Sequence, residues 1–332
     1  MTTDRIIQYR SIAIATSWAC DATCRHCFIP RTIRSRSVCD ERMIRTVIRG
    51  LPDWIRVVSF TGGEAFLDPG RFLRLLQCTR DTGRASTVVT NGLWSRRAHH
   101  LDRILDRAHQ KGLRGLAVSF DAYHHPAITV EEVSTLARAC NRANILVKVR
   151  GVGARSQSML RAVLKKKKAG IQIERDGAYD LDNVGEALVL PPDRLKKPRG
   201  APCETVLSPL LTPEGRLMAC CSSRIFHMAR WPLVLGDVRR EAIGDILERS
   251  SRDLLLAGIL VLGPDRLARM AGKDKDWGAG MFQCERCVSL MNDEATTTVL
   301  LEKLEARKKE IVARVMLYEK TVRRKLARQL LL

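Results

Sequence analysis

The sequence predicts a parallel α/β fold: a partial (β/α)6 barrel of the TIM type, followed by a small α+β domain and a long C-terminal helix. Three observations carry that reading. From residue 11 to about 175, short runs rich in Val, Ile and Thr alternate with amphipathic stretches at intervals of roughly 30 residues, the spacing of βα units. Apolar positions within the runs are nearly continuous, as in Val57-Val58 and Val88-Val89, which suits strands covered by helices on both faces. The alternation then stops where Pro191, Pro192, Pro198, Gly200 and Pro202 accumulate, so a linker is expected at 177–202.

Within the barrel core, 1–176, strands are expected at 12–16, 55–60, 86–90, 116–120, 145–150 and 171–174. Six units fit an open barrel better than a closed eightfold one. Helix starts are marked locally. Asp68-Pro69 offers an N-cap and an N1 proline, Ser95 precedes a helical run, and Thr129 with Glu132 makes a capping box. The second domain, 203–292, opens with a hairpin: strands at 206–211 and 216–219 flank Thr212-Pro213-Glu214-Gly215, with Gly at the position that tolerates positive φ. Helices follow at 241–249 and 253–262, and three glycines among alternating charges make 271–280 read as a mobile loop. In the last segment, 293–332, a single basic helix from 298 onward carries a stripe of Leu300, Leu301, Leu304, Ile311, Val312 and Val315.

Composition narrows the function classes. With 332 residues, 45% hydrophobic and 28% charged, the chain is globular. The longest uncharged apolar stretch of its C-terminal half, 254–263, is ten residues, against the roughly 20 that span a bilayer. No apolar block follows Arg5 and Arg10, so no secretion signal or membrane partner is expected and the expected compartment is the cytoplasm. A net charge of +21 would draw nucleic acid, anionic lipid or an acidic substrate, but the Arg residues are spread along the chain as compositional bias also spreads them, and nucleic acid is not the favoured partner. The eleven Cys are more pointed. Their number is odd and several stand three or four residues apart, which favours metal binding over disulfides in a reducing compartment. Cys39, Cys78 and Cys140 fall on expected helices and read as core.

Cys20-Asp21-Ala22-Thr23-Cys24-Arg25-His26-Cys27 follows the first strand directly. Three thiolates leave a four-ligand site open, and a cubane iron–sulfur cluster held this way keeps one iron for a small molecule. The C-x3-C-x2-C spacing behind a strand resembles the radical S-adenosylmethionine (SAM) superfamily. Further segments are similar to its motifs in the expected order: Thr61-Gly62-Gly63-Glu64 to the GGE motif, Thr90-Asn91-Gly92 to the TNG turn, Ser119-Phe120-Asp121 to the S-x-D segment, with Arg150 closing the fifth strand. The resemblance implies a [4Fe–4S] cluster on Cys20, Cys24 and Cys27. It also implies SAM contacts from Gly62, Gly63, Glu64, Asn91, Ser119 and Arg150, the Glu64 carboxylate or neighbouring carbonyls holding the ammonium. His26 stands where the family usually places an aromatic ring near the adenine. The implied reaction is one-electron cleavage of SAM, fed by a donor such as flavodoxin or ferredoxin, to a 5′-deoxyadenosyl radical that takes a hydrogen atom from substrate.

Cys203, Cys220, Cys221, Cys284 and Cys287 form a second set, and spacing alone admits structural zinc. The order Cys, hairpin, Cys, helix, C-x2-C, with Leu235-Gly236-Asp237-Val238 between, resembles the twitch form of the SPASM auxiliary-cluster domain. It implies an auxiliary [4Fe–4S] cluster on Cys203, Cys220, Cys284 and Cys287. Cys220, at the hairpin's end, is preferred to Cys221, which is left as a hydrogen-atom donor, a substrate ligand or a small buried residue. His124-His125 and Asp121 lie at the barrel mouth, where a general base could act, or the side chains could cap the next helix or meet solvent. The three Arg within 31–36 read as a loop that is solvated, or that meets an acidic peptide or the SAM carboxylate, and Lys165–Lys168 as a solvated helix face. The leading expectation is a radical SAM enzyme acting on a ribosomally synthesised peptide, with a separate recognition protein because the first strand begins near residue 11. A dehydrogenase or epimerase of a small metabolite is the alternative within that class. A zinc-containing nucleic-acid-binding protein is the alternative outside it.

Overall fold

A computed structural model of the chain describes residues 5–24, 26–34, 37–96, 101–121, 123–124, 127–151, 171–173, 202–274 and 276–330. Six strands run parallel as neighbours in chain order: β1 (Ser11–Ala15), β2 (Val57–Thr61), β3 (Ala85–Thr90), β4 (Leu113–Ser119), β5 (Leu146–Arg150) and β6 (Ile171–Ile173). Each lies within a few residues of its expected place, because a β-branched run buried on both faces has few registers to choose from. Val58, Phe60, Val118 and Val149 are completely buried in this sheet.

Covering helices bury one stripe each. Helix α1 (Arg31–Arg34) is a single turn. Helix α2 (Glu41–Arg49) buries Ile44, Val47 and Ile48, and α3 (Pro69–Asp81) buries Phe72, Leu75 and Leu76. Then come α4 (Leu101–Gln110) and α5 (Val130–Arg142). The expected caps form: Asp68 accepts from Arg71 N with Pro69 in the first turn, and Thr129 and Glu132 close a reciprocal box. Ser95 does not cap. It lies inside a 3-10 turn, Leu93–Arg96, and its hydroxyl bonds Gly92 O at 2.8 Å.

The second unit shares the barrel's sheet. Strand β7 (Leu210–Leu211) pairs parallel with the outer side of β1, and β8 (Arg216–Met218) and β9 (Val234–Asp237) follow antiparallel, giving the order β6-β5-β4-β3-β2-β1-β7-β8-β9. Of the first arm of the expected hairpin, 206–211, only Leu210–Leu211 is strand, and a 3-10 turn, Glu204–Leu207, overlaps its start. Next are α6 (Ile243–Ser250), α7 (Leu254–Val261), α8 (Pro264–Met270) and α9 (Gln283–Asn292). Every residue of α7 is buried, which an all-apolar eight-residue helix requires. The expected single C-terminal helix is two, α10 (Glu294–Glu305) and α11 (Lys308–Leu330). The break at 306–307 lets Leu300 and Leu304 on one side, and Ile311 and Val315 on the other, all become fully or almost fully buried. Cys78 and Cys140 are core as expected, while Cys39 is half-buried beside Arg71. Residues 177–201 of the expected linker, Lys165–Lys168 and His125 lie outside the described residues. Among the described residues no helix is long and apolar enough to cross a membrane.

Candidate functional site

The cysteine loop leaves β1 and is fastened from three sides. Gly63 N donates to Ser17 O and Glu64 N to Ala19 O, both at 2.8 Å, so the turn after β2 lies directly on the turn after β1. Side chains are excluded there: a Cβ on Gly62, whose φ is +114°, would stand 2.3 Å from Ser17 O, and one on Gly63 1.9 Å from Ala19 O. Trp18 N donates to Ser37 Oγ at 2.7 Å, and its indole reaches Glu214 of the β7–β8 turn at 2.9 Å. Inside the loop, buried Arg34 donates to Ala22 O at 3.0 Å. Sequence reasoning placed Arg34 in a solvated loop. Nothing local distinguishes it from Arg31, because its burial is created by a partner twelve residues away.

Glu64 is the hub beneath the loop. Only 2% exposed, it accepts from Phe66 N at 3.0 Å, Asn91 N at 2.8 Å and Thr90 Oγ1 at 2.9 Å. Thr90 Oγ1 accepts in turn from Gly92 N and the Trp94 indole, each at 3.0 Å. The carboxylate therefore accepts hydrogen bonds from three groups within the protein. Burial pushes the Glu64 pKa up to about 7 against the pull of its donors. Unfolded, the group titrates near 4.5. Between those values the folded chain keeps a proton that the unfolded chain has lost, so the contribution to stability falls as pH rises and levels off above 7. Glu64→Gln has no such slope: wild type is expected to lose about 3 kcal/mol relative to it between pH 4.5 and 7. Urea denaturation of both at pH 4.5, 6 and 8 checks this, and parallel curves would contradict it.

Asn91 joins the third strand to the cysteines, its Nδ2 lying 3.5 Å from Cys20 Sγ and 2.9 Å from Asp21 Oδ1. The Cys20 thiol is pushed up to about 11, chiefly by burial. From the end of β4, Asp121 is 1% exposed and accepts from Tyr123 N at 2.8 Å and His124 N at 3.1 Å, while facing His124 Nδ1 at 2.9 Å. Burial opposes charge on His124, but the bond to Asp121 and the nearby Cys24 thiol outweigh it and push its pKa up to about 10. His26 lies beside this pair, its Nε2 3.9 Å from Asp121 Oδ2 and its ring centroid 4.7 Å from that of His124. Burial and then the neighbouring His124 hold the His26 pKa down at about 4. Ser119 and Arg150 stand opposite each other in register at the ends of β4 and β5.

The second cysteine set also converges. Cys284 and Cys287, one turn apart on α9, face Cys203 and Cys220: the Cys220 thiol is pushed well up by burial, then by the charges of Cys203, Cys221, Cys284 and Cys287. Cys287 responds in the same way to burial, Cys203 and Cys284. Helix α9 is held in place by Arg286, bonded to both Asp265 oxygens at 2.7 and 2.8 Å. Cys221 differs. It is exposed as a residue, while burial of its thiol pushes its pKa up, with Cys203 and Arg150 among its charged neighbours. All eleven cysteines are free of disulfides.

Comparison with known proteins agrees with this geometry. Residues 16–172 match the family model of the Radical SAM superfamily. YydG of Bacillus subtilis (strain 168), named as a peptide biosynthesis protein, is 24% identical over 129 residues, which span 38% of this chain and 40% of that protein. Among solved structures, anSMEcpe with bound AdoMet and the Cp18Cys peptide superposes with a TM-score of 0.50 at 14% identity, covering 92% of this chain and 99% of that one, a likeness of fold. Streptococcus suis SuiB bound to its precursor peptide SuiA gives a TM-score of 0.46 at 12% identity over 84% of this chain and 76% of that one. With three cysteines behind β1, the glycine pair behind β2 and the TNG turn behind β3 gathered at one end of a parallel sheet, residues 16–172 form a domain of the radical SAM superfamily.

Proposed function

We propose that this chain is a radical SAM enzyme that modifies a ribosomally synthesised peptide. The observation that carries the reading is the joint at the strand ends, where Gly62 and Gly63 press on the cysteine loop and Asn91 touches Cys20. Cys20, Cys24 and Cys27 would hold a [4Fe–4S] cluster, which would supply the one-electron reduction of SAM. The protein's part is positioning and exclusion of water. The backbone at Gly62 and Gly63 meets the methionine end, Asn91 steadies the loop, His26 meets the adenine, and Ser119 and Arg150 meet the ribose and carboxylate. Cys203, Cys220, Cys284 and Cys287 hold an auxiliary [4Fe–4S] cluster, and the thiol of Cys221 serves the substrate. We take 1–176 as the barrel core and 203–292 as the auxiliary-cluster domain, joined through the shared sheet.

The donor sets suit clusters better than single zinc ions. Around one zinc, bonds of about 2.3 Å hold thiolates roughly 3.8 Å apart. Among the described residues, the group of three whose ligand atoms all lie within 4.8 Å of one another is His26, Asp121 and His124, not a cysteine set. A peptide substrate is supported by the name of YydG and by the net charge of +21, which suits an acidic leader. A flavodoxin or ferredoxin would deliver electrons, and a separate recognition protein could present the peptide, with the cytoplasm as the compartment. Anaerobically purified protein is expected to be brown, with about eight iron and eight sulfide per chain. Cys284→Ala should keep about half of each and still form 5′-deoxyadenosine while losing the peptide product. Colourless protein with stoichiometric zinc and no sulfide would overturn the reading in favour of the nucleic-acid-binding one.

A further inference from the structure

We infer that the cleft between α8 and α11 is a docking site for an acidic segment of a peptide, held by Arg266, Arg269, Arg307 and Arg314. The inference rests on the peptide reading proposed above and gives that substrate a place on the molecule. The cleft holds about 400 Å³, within the range of ligand sites, and is lined by Leu262, Arg266, Arg269, Met270, Arg307 and Arg314. Four of the six are cationic and none is acidic. Arg266 and Arg269 stand one turn apart on α8, both exposed, and among the described residues no hydrogen bond or ion pair engages either. Arg307 and Arg314 flank the first two turns of α11, and Glu310 between them fixes both: Arg307 Nε and Nη2 each lie 2.9 Å from its carboxylate, and Arg314 Nε lies 2.9 Å from Oε1. Arg307 Nη1 and both Arg314 terminal nitrogens stay uncommitted. Lys303 adds a fifth cation beside the lining, its Nζ donating to Met270 O at 2.6 Å. Acids next to these residues in the chain are engaged elsewhere, Asp265 with Arg286 at 2.7 Å and Glu305 with Lys308 at 2.8 Å. Like charges gathered in this way repel one another, and a bound anion relieves them. Leu267, Leu304 and Ile311 anchor the same helices with no exposed surface, so the walls are in place before a ligand arrives. Guanidinium forks pair carboxylates through two bonds at a time. Nucleic acid fits less well, because single strands are gripped by aromatic platforms and no aromatic side chain lines this cleft. A second arginine cluster, Arg42, Arg45 and Arg49, lies on one face of α2 beside Glu41, and every residue lining it comes from that helix, so it has no second wall.

The test is fluorescence anisotropy of fluorescein-labelled hexaglutamate titrated with the reconstituted full chain. Wild type is expected to bind it. Arg266→Glu combined with Arg269→Glu should weaken binding at least about tenfold, while Arg42→Glu combined with Arg49→Glu, the same change of net charge on α2, should leave it within about twofold. Arg266→Gln with Arg269→Gln should fall between wild type and the reversed pair, and it decides the matter if the reversed pair does not fold. No binding by wild type would overturn the inference, and so would an equal loss in the two reversed pairs, because net charge alone would then attract the probe. An oligothymidylate of equal charge that displaces the probe at lower concentration than unlabelled hexaglutamate would overturn it in favour of a nucleic-acid site. Iron, sulfide and 5′-deoxyadenosine are measured on the same wild-type preparation. Their absence strikes the radical SAM reading, whereas their presence beside a failed anisotropy result strikes the docking site alone.

Discussion

Cys24→Ala is expected to reduce 5′-deoxyadenosine formation to the level of dithionite and SAM without enzyme, a loss of at least about 10³-fold on the scale of removed catalytic groups. The middle thiolate has no substitute. Its loop neighbours Thr23 and Arg25 carry no soft donor, and the nearby imidazole of His124 is already held through Nδ1 by Asp121. The fold should survive, because Cys24 is only half-buried and the loop is fastened elsewhere, by Gly63, Glu64 and Arg34. The auxiliary set is untouched, so the variant should remain brown with about half the iron. Chromatographic assay of 5′-deoxyadenosine under anaerobic reduction decides. Unchanged turnover would mean that the radical is not made at this loop.

What could be read from the sequence was what local chemistry dictates. The six parallel strands announce themselves as apolar runs, and Asp68-Pro69 and Thr129 with Glu132 cap their helices because the partner groups lie within three residues. The cysteines and glycines at the strand ends were legible for a similar reason: ligand spacing and the absence of a Cβ are properties of short segments. What escaped depends on distant partners. The inward turn of the Glu64 carboxylate is made by Thr90 and Asn91, from the next strand's end. Arg34 reads as one more surface arginine until Ala22 O is placed beside it. The pairing of β7 with β1, which makes one sheet of two expected units, joins residues about 200 apart and leaves no local signature. Helix α8 did carry a signal, Pro264 at its first turn, hidden by the glycine-rich run that follows. The break in the C-terminal helix carries neither Gly nor Pro, since burial of two stripes against α7 imposes it.

Gly63→Ala is expected to be as damaging as loss of a ligand, by a different route. The added carbon would meet Ala19 O at 1.9 Å and Trp18 O at 2.5 Å, both backbone atoms of the cysteine loop, so no side chain can swing aside. Either the loop retreats, breaking the bonds from Gly63 N to Ser17 O and from Glu64 N to Ala19 O, or the strand end of β2 does. Overpacking of this kind costs about 3 kcal/mol. The same displacement pulls the backbone edge away from the methionine end of SAM, so SAM affinity, read by equilibrium dialysis on the reconstituted protein, should fall at least about 100-fold, equal to about 3 kcal/mol. Gly70→Ala is the control. That glycine lies in the first turn of α3, its added carbon would find nothing nearer than a side-chain oxygen of Asp68 at 3.5 Å, and helix propensity favours Ala by up to about 1 kcal/mol, so stability should hold or rise with SAM affinity unchanged. If Gly63→Ala bound SAM as wild type does, the contact between the β1 and β2 turns would be yielding rather than rigid, and the glycine pair could not be what holds the cysteine loop against the SAM site.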